Sequence, residues 1–250
     1  MRRWGLILLA VAAFVAVLVA RFPLGWAVGF LPTIIRCDAP TGTLWQGRCG
    51  TFSVAVSATG PVSIGALAWD LDGAALLRAR LQGELRVDGE QVRGATHFAV
   101  TTGDQLVLEH LTAELPLDRK LIGIVPANWT GRVHIADARV ALDGRRLLGL
   151  SGEAQVRDVV AQGPRPDPFG SYRLRFPAGA DGAAHRGELQ DIGGPLELNG
   201  TLVLQPDLNF ELDTWVKPRA DATPGVVRLI EFLGATDAQG RRNFSASGNF

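Results

Sequence analysis

The sequence carries no surplus charge of either sign, with 25 basic residues set against 25 acidic ones. Nucleic-acid binding is driven by phosphate neutralisation, so a balanced chain without a basic field points away from nucleic acid. Tyrosine and methionine are nearly absent, with one of each in 250 residues. An outer-membrane barrel needs aromatic girdles and long lipid-facing strands. The terminal alternation Phe244, Ala246, Gly248, Phe250 hints at such a barrel, but the rest of the chain does not supply its aromatics. Cysteines number two, with no CxxC spacing and no nearby histidine pair to complete a zinc site. No metal or other cofactor is expected. The catalytic signatures are missing as well: no Gly-x-Ser-x-Gly elbow, phosphate loop, dinucleotide fingerprint or His-Glu-x-x-His occurs. The four histidines (His97, His110, His134, His185) lie far apart in sequence.

What is present begins with Trp4 to Ala20, a run without a charged residue. As a helix it measures about 26 Å, close to the hydrocarbon core of a bilayer. Trp4 and Trp26 are placed to sit at the two interfaces, and Arg2 and Arg3 favour an N-terminus on the inner side. The competing reading is a cleaved signal peptide. Cleavage after Ala20 puts Leu18 where a small residue is wanted, and the run is longer than an ordinary signal core. An uncleaved anchor is therefore expected. It divides the chain into residues 1–3 in the cytoplasm, 4–20 in the membrane, 21–36 at the interface and 37–250 beyond it. Cys37 and Cys49 fall in that outer part. They form either a disulfide or two free thiols, and an oxidising compartment favours the disulfide. Such a loop gains about 3 kcal/mol by the chain-entropy argument.

The outer part reads as strands. Leu77, Ala79, Leu81, Gly83, Leu85 and Val87 alternate with Arg78, Arg80, Gln82, Glu84 and Arg86, the period of a sheet with one dry face. Leu148 to Val156 and Leu196 to Leu204 repeat the pattern. Leu71-Asp72-Gly73 and Leu142-Asp143-Gly144 each precede a leucine pair, and Asp-Gly suits a tight hairpin. The expectation is a mainly β protein: an N-terminal transmembrane helix, then a curved or meandering antiparallel sheet with one or two short helices. Thr223-Pro224 with Val226, Ile230, Leu233 and Gly234 forms one such helix, packing one face on the sheet. Pro116 to Val125 is a candidate for another. Residues 163–168 are a proline-rich loop that can divide the sheet into two parts. Glu109 and His110 suggest acid–base chemistry, but alternation along a strand sends neighbours to opposite faces. No catalytic residue is expected.

The ordered segments Phe22-Pro23-Leu24-Gly25-Trp26, Gly42-Thr43-Leu44-Trp45-Gln46-Gly47, Leu67-Ala68-Trp69, Asn128-Trp129-Thr130-Gly131 and Phe232-Leu233-Gly234-Ala235-Thr236-Asp237 carry a resemblance. Across essentially the full length the chain resembles the type II secretion system protein N family. The resemblance implies a single-pass inner-membrane protein with a periplasmic domain. It implies an accessory role in exporting folded proteins, with the secretin and inner-membrane platform proteins as partners and no catalytic residue. The alternative is an envelope lipid-handling protein. The two part on the apolar strand faces (Leu77 to Val87, Leu196 to Leu204): a covering layer, the ordinary expectation, favours a scaffold, and an open groove favours lipid.

Overall fold

A computed structural model describes residues 4, 7, 11, 14, 17–18, 21–27, 34–57, 60–119, 121–122 and 125–249. The expected span 4–20 therefore lies largely outside the described residues. Its described members Trp4, Ile7, Val11, Phe14, Val17 and Leu18 are helical and each is at least half exposed. Among the described residues no helix is long and apolar enough to cross a membrane. Beyond this segment a short helix α1 (Leu24–Ala27) carries Trp26, and Leu24 on it is buried.

Among the described residues thirteen strands follow, paired in chain order into one antiparallel sheet. They are β1 (Ile35–Gly42), β2 (Gln46–Ser57), β3 (Gly60–Leu71), β4 (Arg80–Asp88), β5 (Arg93–Thr101), β6 (Gln105–Pro116) and β7 (Trp129–Asp143). The rest are β8 (Arg146–Ala161), β9 (Asp167–Phe176), β10 (His185–Gly193), β11 (Leu196–Leu204), β12 (Asn209–Pro218) and β13 (Arg242–Asn249). The sheet is an open meander, since β1 and β13 are its two ends and do not pair with each other. That sets the closed-barrel reading aside.

Register decides which residues share a face, because directly opposed residues point the same way. Starting from Trp69↔Leu85 and Leu81↔Val100, the ladder runs on through Val100↔Leu106 and Phe98↔Leu108. It continues with Leu108↔Val140, Val140↔Leu150, Val156↔Tyr172 and Leu174↔Leu189. Leu198↔Val216, Leu202↔Leu212 and Thr214↔Phe244 complete it. One apolar face thus extends from β3 to β13. The opposite face is polar, with pairs such as Glu84↔His97, Glu153↔Arg175 and Glu188↔Arg175.

The strands are creased along the way. Gly152 (φ 125°) faces Ala138, and its missing Cβ is what permits their approach, since an added one sits 2.5 Å from the Ala138 Cα. Bulges at His110, Asp137 and Asp158, all with positive φ, accompany register shifts in β6, β7 and β8. Each extra residue bends its strand and strengthens the local twist.

Helix α2 (Pro224–Glu231) forms as its sequence implies. Thr223 caps it by accepting from the Val226 amide, and Pro224 opens the first turn. It lies against β9 and β12, burying Val226 and Ile230. A hydrophobic core joins these two to Leu117, Val125, Val133, Val159, Phe169, Leu196 and Val216.

Three local expectations are corrected. Leu77 and Ala79 do not belong to a strand: Gly73–Arg78 is a 3-10 helix, Ala79 is left-handed (φ 54°), and Leu77 is 92% exposed. Asp72 consequently caps that helix by accepting from the Ala74 amide at 2.9 Å, so no tight Asp-Gly hairpin forms there, unlike at Asp143-Gly144. Pro116 ends β6, and the described residues from Leu117 to Val125 are turn and coil, because Leu117 and Val125 are drawn down into the core.

Candidate functional site

The amino-terminal hairpins are tied together by Gly42-Thr43-Leu44-Trp45-Gln46-Gly47. The Thr43 amide donates to the Gln46 carbonyl at 2.9 Å, and the Gln46 side chain reaches Asp70 at 3.1 Å. Trp69 lies over Gly47, where a Cβ falls 2.3 Å from the indole, and its Nε1 donates to the Leu44 carbonyl at 2.9 Å. Pro23 bridges to Thr43, which docks the segment after the N-terminal helix onto the sheet. The structure joins Cys37 on β1 to Cys49 on β2, with Cα atoms 5.3 Å apart. Of the two tryptophans expected at membrane interfaces, Trp4 is 75% exposed, and the side chain of Trp26 lies outside the described residues.

On the polar face, β3 to β7 enclose a groove of about 1160 Å³. Its walls include Asp70, Gln82, Glu84, His97, Glu109 and Arg139. Here a further expectation is corrected. Glu109 and His110 both line this groove, because His110 sits at a bulge (φ 52°) where alternation fails. His110 Nδ1 lies 2.8 Å from Asp137, and its ring meets that of His97 edge-on at 6.1 Å. Arg139 reaches Glu109 at 3.9 Å and Asp181 at 3.3 Å. Arg86 donates two hydrogen bonds to Glu84, at 2.7 and 2.8 Å, and holds its carboxyl below the usual range. Hydrogen bonding from Gln82 likewise lowers Asp72. Among the described residues no cluster has the makings of a metal site. The groove is wide and polar, and its carboxylates are met by arginines (Glu84, Glu109) or by glutamine amides (Asp70, Asp72).

On the apolar face, β7 to β13 and α2 enclose a second cavity of about 560 Å³. Trp129, Val156, Phe169, Leu198, Val216 and Leu229 are among its walls. Trp129 stacks on Phe169 with centroids 4.8 Å apart. The two hydroxyls in the wall are spent on carbonyls: Tyr172 donates to Phe169 at 2.5 Å and Thr214 to Asn199 at 2.8 Å. Burial raises the Tyr172 pKa well above its ordinary value. Helix α2 covers only part of this face. Substantial contacts among the described elements otherwise join chain neighbours, so among the described residues only α2 and the Leu117 to Val125 segment lie over the strands. The expectation that the Leu196 to Leu204 face is ordinary core holds at Leu196, which is buried, while the half-buried Leu198 borders the open groove.

Among the described residues both sheet ends leave a ladder unpaired. β1 carries a positive-φ residue at Ala39, Pro40 and the disulfide, features that blunt an edge. β13 (Arg-Asn-Phe-Ser-Ala-Ser-Gly-Asn) has no proline, no positive-φ residue and one charge.

Grooves on opposite faces and one unblunted edge define an open, single-layer β-meander protein whose surfaces are suited to binding. The family model described as type II secretion system (T2SS), protein N, matches residues 35–245. The chain belongs to that family. It is 24% identical over 244 residues to the type II secretion system protein N of Aeromonas hydrophila, covering 93% of each chain. It is 24% identical over 238 residues to the protein of that name from Vibrio cholerae serotype O1 (strain ATCC 39315 / El Tor Inaba N16961), covering 87% of this chain and 86% of the relative. No solved structure matches it.

Proposed function

We propose that this chain is an accessory component of a type II secretion system, held in the inner membrane by residues 4–20 with its sheet in the periplasm. It acts by binding, without chemistry of its own, in the export of folded proteins. The match of residues 35–245 to the protein N family carries the reading. The anchor is supported by the uncharged Trp4–Ala20 run and by the exposure of Trp4, Ile7, Val11, Phe14 and Leu18 on helical backbone, which calls for an apolar solvent. Periplasmic placement is supported by the disulfide between Cys37 and Cys49. Secretin and platform proteins are the expected partners, and β13 offers them a strand edge for main-chain pairing.

Deletion of the gene is the test. Export of folded exoproteins should fall, and the tagged full chain should copurify with the secretin or a platform component. Unchanged export together with no such copurification sinks the proposal.

A further inference from the structure

We infer that the dry cavity between α2 and strands β7 to β13 holds an acyl chain of a membrane phospholipid. This goes beyond the secretion role and rests on the proposed membrane anchor for its source of lipid.

The cavity excludes most occupants by chemistry. Its volume of about 560 Å³ falls within the roughly 300–1,000 Å³ typical of small-molecule sites. Such sites usually offer a few polar groups that orient the ligand. Here the Tyr172 and Thr214 hydroxyls already donate to backbone carbonyls of the wall, and the other named walls are hydrocarbon or aromatic. A peptide brings an N–H and a C=O with every residue, and burying them without partners is costly. An apolar tail has no such groups. The Arg219 guanidinium, which bonds the carbonyl of the wall residue Leu196, is also committed to Asp191 at 2.7 Å and to the Gly194 carbonyl, so it is not free for the carboxylate of a free fatty acid. A phospholipid meets both conditions, since a tail can enter while its headgroup remains outside in water.

The same face supplies a path to this cavity. Leu202 and Leu212 lie opposite one another beyond Thr214, and Leu174 faces Leu189. These side chains are half-buried, under no covering layer among the described elements. The exposed Leu229 and Phe232 stand at and just beyond the end of α2. The apolar helical residues from Trp4 to Leu18 give the domain a bilayer as its neighbour.

The stacked Trp129 provides the readout. Full-length protein in detergent micelles is titrated with phosphatidylcholine whose acyl chains carry bromine, a quencher of tryptophan emission. Saturable quenching is expected, with a component that Trp129→Phe removes, and Leu198→Glu should raise the half-saturating lipid about tenfold. Quenching that is the same in Trp129→Phe overturns the inference, because it then arises from other tryptophans. A milder variant guards against misfolding: a benzophenone side chain replaces Leu229, which is 49% exposed at the cavity rim. Irradiation in cells should add the mass of a phospholipid. A protein adduct, or no adduct, overturns the inference.

Discussion

In strands β3 to β7 the groove opens on the charged side of the sheet, whereas from β7 to β13 it opens on the apolar side. The ladder is continuous across both regions, and so is the apolar face. They differ in what the chain lays over that face. The second region is given α2 and the Leu117 to Val125 segment, and every member of the main core lies there. The first has no such cover among the described residues. It is held by its ladder, by the loop around Trp69 and by the disulfide. Burial of apolar area is the main source of stability, at about 25 cal/mol per Å². The second region should therefore be the firmer of the two, and the first the one that opens locally.

The sharpest way to break this contrast is Phe169→Ala. Phe169 is 5% exposed and stacked on Trp129, so its loss should cost about 3–5 kcal/mol, read by denaturant unfolding. Hydrogen exchange should place the weakening in β7 to β12. If β3 to β6 weaken equally, the two regions are one cooperative unit. Next in size is Cys37→Ser with Cys49→Ser. The twelve-residue separation predicts a loss of about 3 kcal/mol, confined in exchange experiments to β1 to β3. Thr223→Ala removes the cap of α2 and its hydrogen bond to Asp167, for about 1 kcal/mol, and should loosen the cavity wall first.

Smallest is an acid effect at Asp237. Hydrogen bonding from the Arg241 backbone, then from its side chain and the Gln239 amide, lowers this carboxyl from its ordinary value near 3.8. A depressed pKa stabilises the fold above the unfolded value and is lost as pH falls through the folded one. Protection of the Gln239 and Arg241 amides, just before β13, taken relative to their intrinsic exchange rates, should therefore fall below about pH 4. Asp237→Asn should remove most of that dependence.

Much of this was readable beforehand. Leu196 to Leu204 and Leu148 to Val156 alternate and are strands; Thr223, Pro224 and Gly234 bound α2. These signals are local, set by side-chain period and by capping. The failures were local breaks that leave no mark on the period. Leu77 and Ala79 continue the alternation of β4, yet they lie in a 3-10 helix and its left-handed cap. The bulge at His110 breaks the alternation with no glycine to announce it, so Glu109 and His110 share the wet groove. The candidate site was the least legible part. Alternation tells that a face is apolar. It does not tell whether another layer covers it, because that depends on where α2 docks, well beyond β11 in the chain.

Pairing each strand only with its chain neighbours has a kinetic consequence. A meander has low contact order, and such folds form without first closing long loops. As the chain is delivered from its amino end, each arriving strand finds its partner already in place and presents the next edge in turn. Assembly is then vectorial, a zipper advancing from the disulfide-closed hairpin of β1 and β2. The core under α2 locks only when nearly the whole chain has arrived. The edge of β13 is the growing end of that zipper at rest.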